Sequence, residues 1–175
     1  GQIIPRVYGS VALLGNVFWI ENNALKETSH TEEQGGKGGG SSSETTTYTY
    51  SSTFALGLCA GPIVGIRRIW ASGTLLYDAG SSDISTMIAS NASVSGWRLY
   101  LGNDTQQPDP RMQAALGIAN TPAFRGLAYI VFDDFDLGKY GNTLMGAQIK
   151  VEVLTASSDV AATLVQSKVL SGSAN

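Results

Sequence analysis

The chain has 175 residues, 43% of them hydrophobic and 14% charged, which is the composition of a globular domain large enough to bury a core. Its net charge of −3 argues against a surface that grips nucleic-acid phosphates, and its single cysteine, Cys59, excludes an internal disulfide. The 21 glycines favour short strands over long helices, and no apolar run approaches the roughly 20 residues that a membrane-spanning helix needs.

The first part of the sequence has the pattern of β-strands. Residues 3–20 predict two short strands around a turn, and residues 24–30 extend the sheet. Residues 45–58 have the clearest pattern, because apolar side chains alternate with hydroxyl-bearing ones. The alternating apolar set comprises Tyr48, Tyr50, Phe54, Leu56 and Leu58. A period of two predicts a strand with one face toward the core and the other toward solvent.

A glycine- and serine-rich run interrupts these strands. Residues 31–46 contain GGKGGGSSS, whose side chains bury almost nothing and whose glycines lose the most backbone entropy on ordering. The run predicts a long flexible loop inserted into one domain that covers residues 1–155. Long loops inside compact domains are usually functional or disordered, so we expect this loop to extend to a partner or to solvent.

The middle of the chain predicts a hairpin and two short helices. The hairpin joins residues 63–70 to residues 74–78 through a turn that contains glycine. Asp83 and Asp109 are typical helix-capping residues, and the second helix is expected to run from Pro110 to Leu116.

Three more strands are expected at residues 97–101, 126–132 and 146–154. The fold class is therefore mainly β, a β-rich α+β arrangement with two or three short helices. Residues 156–175 predict a terminal helix or a linker. Because the chain opens on Gly1 directly before a strand-like segment, we expect it to be part of a longer protein.

Two motifs suggest chemistry but fit it poorly. GGKGGGSSS resembles a phosphate-binding loop, but Lys37 is followed by Gly38 instead of the serine or threonine that such a loop requires. His30 lies near Glu32 and Glu33, residue types that bind zinc or transfer protons when they converge. With one histidine in the chain, a solvated polar turn is the favoured interpretation.

An acidic group follows the strand predicted at 126–132. Asp133, Asp134 and Asp136 resemble a calcium loop, but their spacing does not match the EF-hand pattern. A strand end that turns into an acidic loop is the favoured interpretation.

A basic pair lies beside an aromatic residue. Arg67 and Arg68 next to Trp70 suggest a cation–π or nucleic-acid surface, with a structural or interface role favoured. We predict no catalytic residue, no metal site and no cofactor. The candidate interaction residues are His30, Glu32, Glu33, Lys37, Arg67, Arg68, Asp133 and Asp134.

Four blocks in order carry a family resemblance. They are PRVYGSVALLGNVFW, then ETSHTEEQGGKGGG with TYTYSSTFALGLCAGPIVGIRRIWASGTLLYD, then LYLGNDTQQPDPRMQAALG, and finally NTPAFRGLAYIVFDDFDLGKYGN. Together they resemble the phage tail protein family that includes the baseplate hub or tail-tip proteins of siphophages and of gene transfer agents. That family is related to the host-specificity tip protein of lambda-like phages.

The resemblance implies a structural, non-enzymatic protein with hub-type, β-barrel-like domains. It implies a homotrimer about the tail axis, which joins the tail tube to distal host-recognition parts and lines the DNA exit channel. Its implied partners are the distal tail protein, the tail tube and the tape-measure protein, with DNA only in transient passage and the host envelope contacted indirectly. The implied location is the virion tail tip, after synthesis in the bacterial host cytoplasm.

A second hypothesis from another class stays open. Exposed tyrosines and tryptophans stack on sugars, so the chain could be a carbohydrate-binding or depolymerising domain that acts on the host surface. The parity of Tyr48, Tyr50 and Phe54 favours a core instead, and the sequence does not mark the pair of carboxylates that a glycosidase needs.

Overall fold

A computed structural model describes residues 3–34 and 43–156 of the chain. The strands are β1 (Ser10–Leu14), β2 (Asn16–Ile20), β3 (Lys26–Gln34), β4 (Ser43–Ala60), β5 (Gly65–Ala71), β6 (Thr74–Asp78), β7 (Trp97–Tyr100), β8 (Leu127–Asp136) and β9 (Lys150–Leu154). The helices are α1 (Ile84–Ser93), α2 (Pro110–Leu116) and α3 (Leu144–Ala147). The prediction of a mainly β chain with two or three short helices is confirmed.

The strands form two antiparallel sheets. The smaller sheet has the order β1-β9-β5-β6. The larger sheet has the order β2-β4-β8-β7, and β3 pairs with the first part of β4. β1 and β2 are consecutive in the chain but belong to different sheets, so the single residue between them, Gly15, carries the chain from one sheet to the other.

The inner faces of both sheets contribute to one hydrophobic core. Its buried side chains include Phe54, Leu56, Leu58, Ile66, Ile69, Ile130, Phe132, Val151 and Val153. Gly15 lies against this core, since a Cβ there would come within 2.4 Å of Leu56 Cγ. Glycine is therefore required where the chain crosses between the sheets, because any larger residue would overlap Leu56. Cys59 is fully buried in the same core, and burial raises the pKa of its thiol.

The helices cover parts of the sheets that would otherwise be open. α2 places Met112 against Ala55, Tyr129 and Val131, so β4 and β8 are buried on their outer side as well. α1 covers the part of the β5 edge that β6 does not reach. There the Asn91 side chain accepts a hydrogen bond from the backbone N–H of Ile66 and donates one to its C=O, each 2.8 Å long. No helix among the described residues is long and apolar enough to cross a membrane.

The predicted helix starts are confirmed: the Asp83 side chain accepts from the backbone N–H of Thr86, and Asp109 caps α2 ahead of Pro110. Other expectations need correction. Residues 31–34 and 43–46 belong to strands and not to a loop, because they pair with each other. Residues 35–42, which include Lys37, and residues 157–175 lie outside the described part of the chain.

Two further strand predictions were wrong in part. The strand expected to end at residue 132 continues to Asp136 as β8, so the acidic residues lie in the sheet and not in a loop after it. The half-buried strand expected at residues 45–58 is exposed at 44–48 and buried on both faces at 52–59, because α2 covers the side that was assigned to solvent.

Candidate interaction surface

A two-stranded ribbon projects from the larger sheet. It consists of β3 and residues 43–51 of β4, which pair in nine continuous antiparallel steps from Lys26–Ser51 to Gln34–Ser43. At about 3.4 Å per residue the ribbon is roughly 30 Å long. The side chains of residues 26–32 and 44–48 are all exposed. We call this ribbon, residues 26–34 and 43–51, the arm.

The register divides the arm into two faces. The hydroxyl face is dominated by threonines and also carries His30 and Glu32; its threonines are Thr28, Thr45, Thr47 and Thr49. The tyrosine face carries Tyr48 and Tyr50, and the Tyr50 hydroxyl donates to Glu27 Oε2 at 2.6 Å. That hydrogen bond raises the pKa of Tyr50.

The tyrosine face continues the core-facing side of β4 outside the core. Tyr48 and Tyr50 have the same parity along the strand as Phe54, which is fully buried. Tyr48, by contrast, is 52% exposed. The arm therefore presents to solvent the side of the strand that, at Phe54, faces the hydrophobic core.

A β-bulge forms the base of the arm. The register between β4 and β8 shifts between Ser52 and Phe54, so that Asp133 and Asp134 of β8 together lie opposite the single residue Thr53 of β4. Asp134 adopts a positive φ of 43°, and its N–H donates to Thr53 Oγ1 at 3.0 Å. A bulge re-aims side chains, and here the Asp134 carboxylate lies 3.3 Å from Lys26 Nζ at the first step of the arm.

The same bulge directs Asp133 into a polar network under α2. Asp133 pairs with Arg98, and Arg98 Nε donates to Asp109 Oδ2 at 2.7 Å. Asp109 is fully buried and also accepts from the Tyr100 hydroxyl at 2.7 Å and from the backbone N–H of Met112 at 2.9 Å. Burial opposes its charge, but these hydrogen bonds outweigh burial and lower the pKa of Asp109.

A second ion pair ties α2 to the chain before the arm. Arg111 donates to both carboxylate oxygens of Glu21, from Nε at 2.6 Å and from Nη2 at 2.8 Å. The hydrogen bond from Arg111 is the main cause that lowers the pKa of Glu21. Two-point pairing of this kind fixes orientation as well as distance.

Arg67 and Arg68 lie elsewhere, on the smaller sheet. Arg68 pairs with Asp78 at 2.9 Å and with Glu152 at 3.2 Å. Arg67 Nε is buried and has no hydrogen-bond partner among the described residues. The cation over the Trp70 ring is Lys150, 5.0 Å from the centroid, and not one of the arginines that the sequence suggested.

The structure thus separates the candidate residues instead of gathering them. His30, Glu32 and Glu33 lie on the arm, Asp134 lies at its base, Asp133 lies in the network under α2, and the two arginines lie on the other sheet. Sequence reasoning missed Glu44 and the exposure of the tyrosines. The length of the alternating pattern at residues 45–58 is the signal that could have found them, because it already exceeds the usual strand length of about 3–10 residues.

The arrangement offers little for catalysis in the described residues. No group of three or more histidines, cysteines or acidic residues there is placed to hold a metal ion. A cavity of about 240 Å³ beside the arm's base is lined by Glu21 and Asp134, but both carboxylates are held in ion pairs. A glycosidase acid needs a raised pKa, whereas that of Glu21 is lowered.

Apolar side chains are exposed at the free edges of the sheets. No described strand pairs with the outer edges of β1 and β6 in the smaller sheet. Leu14 on β1 is 63% exposed and Leu75 on β6 is 50% exposed. Exposed apolar edges are a liability for an isolated domain, so they mark places where another chain is expected.

Comparison with known proteins gives one informative similarity. No model of a known protein family matches the sequence, and no curated protein matches it. A solved chain from the virion of a native gene transfer agent (GTA) particle is similar over 90% of this chain, at 28% sequence identity and a TM-score of 0.57. The match spans 28% of the solved chain, so the chain corresponds to less than a third of that protein's length.

Proposed function

We propose that the chain is a structural module of a phage-like particle, namely part of the hub at the tip of its tail. The observation that carries this proposal is the similarity to the GTA virion chain, because 28% identity over 90% of the chain goes beyond a shared architecture. The ordered sequence blocks that resemble tail-tip hub proteins support the same conclusion. The role is mechanical and not enzymatic.

The two free edges of the smaller sheet support a ring of copies. Each neighbouring pair in the order β1-β9-β5-β6 is antiparallel, so β1 and β6 run in opposite directions. The β6 edge of one copy can therefore add to the β1 edge of the next as an antiparallel pair, which covers both edges when the ring closes. Leu14 and Leu75 would then lie within the contact. In a homotrimer about the tail axis, each copy would pair its β6 edge with the β1 edge of the next copy.

The partners follow from that position in the particle. The hub module joins the tail tube and the tape-measure protein to the distal tail protein, and it meets the host envelope only through the parts beyond it. DNA passes through its channel without a specific site, which suits a chain whose net charge is −3. The chain would thus be found in the virion, at the tail tip.

Electron cryomicroscopy of purified particles tests this function. Leu14→Glu places a charge on the β1 edge, and Met145→Glu is the matched control because Met145 is 89% exposed and lies on α3, not on an edge strand. We expect three copies of the chain around the tail axis in the parent and in Met145→Glu, and loss of the chain from tail tips in Leu14→Glu. Single copies on a fibre, or normal tips with Leu14→Glu, would contradict the proposal.

A further inference from the structure

We propose that the arm is a docking surface for a basic surface of another protein, which covers the tyrosine face and meets the glutamates toward the arm's outer end. This inference goes beyond the hub role, because it concerns the chemistry of one partner and holds wherever the chain sits in a particle. It rests on the backbone pairing, the exposure of the tyrosines and the distribution of charge.

The arm lacks the burial that stabilises the rest of the domain. A two-stranded ribbon alone is marginally stable in water. No described strand pairs with the outer edge of β3, and residues 43–50 of β4 pair with β3 alone. A protein that covers the arm would supply the contacts that the chain itself does not.

The tyrosine face carries two side chains of a type that protein interfaces favour. Tyrosine is enriched in the buried centres of such interfaces, because its ring buries a large area at low entropic cost and its hydroxyl still finds a partner. Tyr48 and Tyr50 lie side by side on this face, with the Tyr50 hydroxyl already held by Glu27. A partner would therefore contact the Tyr50 ring, whose position is set by the hydrogen bond to Glu27, and the exposed Tyr48 ring.

The charge of the chain is concentrated in the arm. The arm holds four glutamates (Glu27, Glu32, Glu33 and Glu44) and one lysine, so it carries a net charge of −3. The other residues of the chain hold ten basic and ten acidic residues and are neutral in sum. Two of these glutamates, Glu32 and Glu44, are exposed in the outer half of the arm.

This distribution of charge indicates which kind of partner can bind the arm. Nucleic acid is repelled by an arm of charge −3, and the arm of a second copy is repelled for the same reason. A surface rich in lysine and arginine is attracted by the same charge. A basic protein surface is thus the partner that the arm fits.

The base of the arm is fixed before any partner binds. Lys26 pairs with Asp134 on β8, and the backbone N–H of Leu137 donates to the carbonyl of Tyr50 at 2.8 Å. Both contacts join the base of the arm to the domain. Such preorganisation reduces the conformational entropy that is lost on binding.

Photocrosslinking in purified particles tests the proposal. The probe is benzoylphenylalanine at the tyrosine face (Tyr48→benzoylphenylalanine), combined with Glu44→Lys or with Asp104→Lys. Both charge changes are equal in size, and Asp104 is exposed outside the arm. Glu44 is exposed, so Glu44→Lys changes the charge of the arm without removing a buried contact.

We expect light to join the probe to a second protein at a peptide rich in lysine and arginine. The yield should fall severalfold with Glu44→Lys and stay unchanged with Asp104→Lys. If Glu44→Lys alone keeps the chain out of particles, the proposal is also supported. It is overturned by a crosslink to DNA or to a second arm, by the absence of any crosslink, or by equal effects of the two charge changes.

Discussion

The two halves of β4 show how one strand serves two purposes. Residues 52–59 are buried on both faces, between β2, β8, the opposite sheet and α2. Residues 44–48 of the same strand are exposed and pair only with β3. Backbone hydrogen bonds are present in both halves, so the difference lies in burial. We infer that the buried half holds the domain together while the arm is free to bind.

The largest effect on stability is expected in the buried part of the domain. Asp109→Ala should lower the free energy of unfolding by about 3 kcal/mol, because it leaves Arg98 and Tyr100 without their shared buried acceptor. Urea unfolding followed by circular dichroism measures the loss. Asp83→Ala is the matched control, since it also removes a helix cap but at an exposed site, and its loss should be smaller. Equal losses would contradict the importance of the buried network.

The crossing between the sheets gives the next effect. Gly15→Ala should destabilise the chain by about 1–3 kcal/mol, because the new Cβ overlaps Leu56. Gly57→Ala is the control, since a Cβ there meets its nearest atom, on Phe18, at an ordinary 3.4 Å. Thermal unfolding of both variants measures the difference. An unchanged midpoint for Gly15→Ala would show that the two sheets do not pack as closely as described.

Acid should weaken the domain through its ion pairs. The pKa values of Glu21 and Asp109 are lowered in the folded chain. Their contribution to stability is therefore fully present above the pKa of the unfolded chain, about 4, and is lost as the pH falls from there through the lowered pKa of the folded chain. The free energy of unfolding should therefore fall below about pH 4. Glu21→Gln removes one titrating group and should make this fall less steep. Identical slopes for parent and variant would contradict the role of the Arg111 pair.

The smallest effect on stability is expected when the arm is shortened. Ser29 and Tyr48 are register partners, so an Asn-Gly turn can join them in place of residues 30–47. The unfolding free energy should change by less than about 0.5 kcal/mol, since the described side chains that are removed, those of residues 30–32 and 44–47, are exposed. Incorporation into particles should nevertheless be lost. A large loss of stability would show that the arm belongs to the folding unit.

Local signals in the sequence predicted most of the fold. The capping residues Asp83 and Asp109 place two helix starts correctly, and the glycine-containing turn places the hairpin of β5 and β6. These features depend on neighbours in the chain, so the sequence pattern contains them.

Features that depend on distant contacts were not predictable in this way. The hydroxyl-bearing side of β4 is buried because α2, more than 50 residues later, packs over it. The separation of Asp133 from Asp134 depends on a bulge against β4, and the pairing of residues 31–34 with 43–46 depends on strand register across a glycine-rich segment. Charge and periodicity alone do not encode these contacts.

Hydrogen exchange read by mass spectrometry, compared between the isolated chain and the assembled particle, tests the central claim most directly. We predict that residues 52–60 of β4 and residues 127–132 of β8 are protected in both states. The arm should exchange rapidly in the isolated chain and become protected in the particle. Rapid exchange of the arm in both states would contradict the claim that it is the surface through which the domain binds.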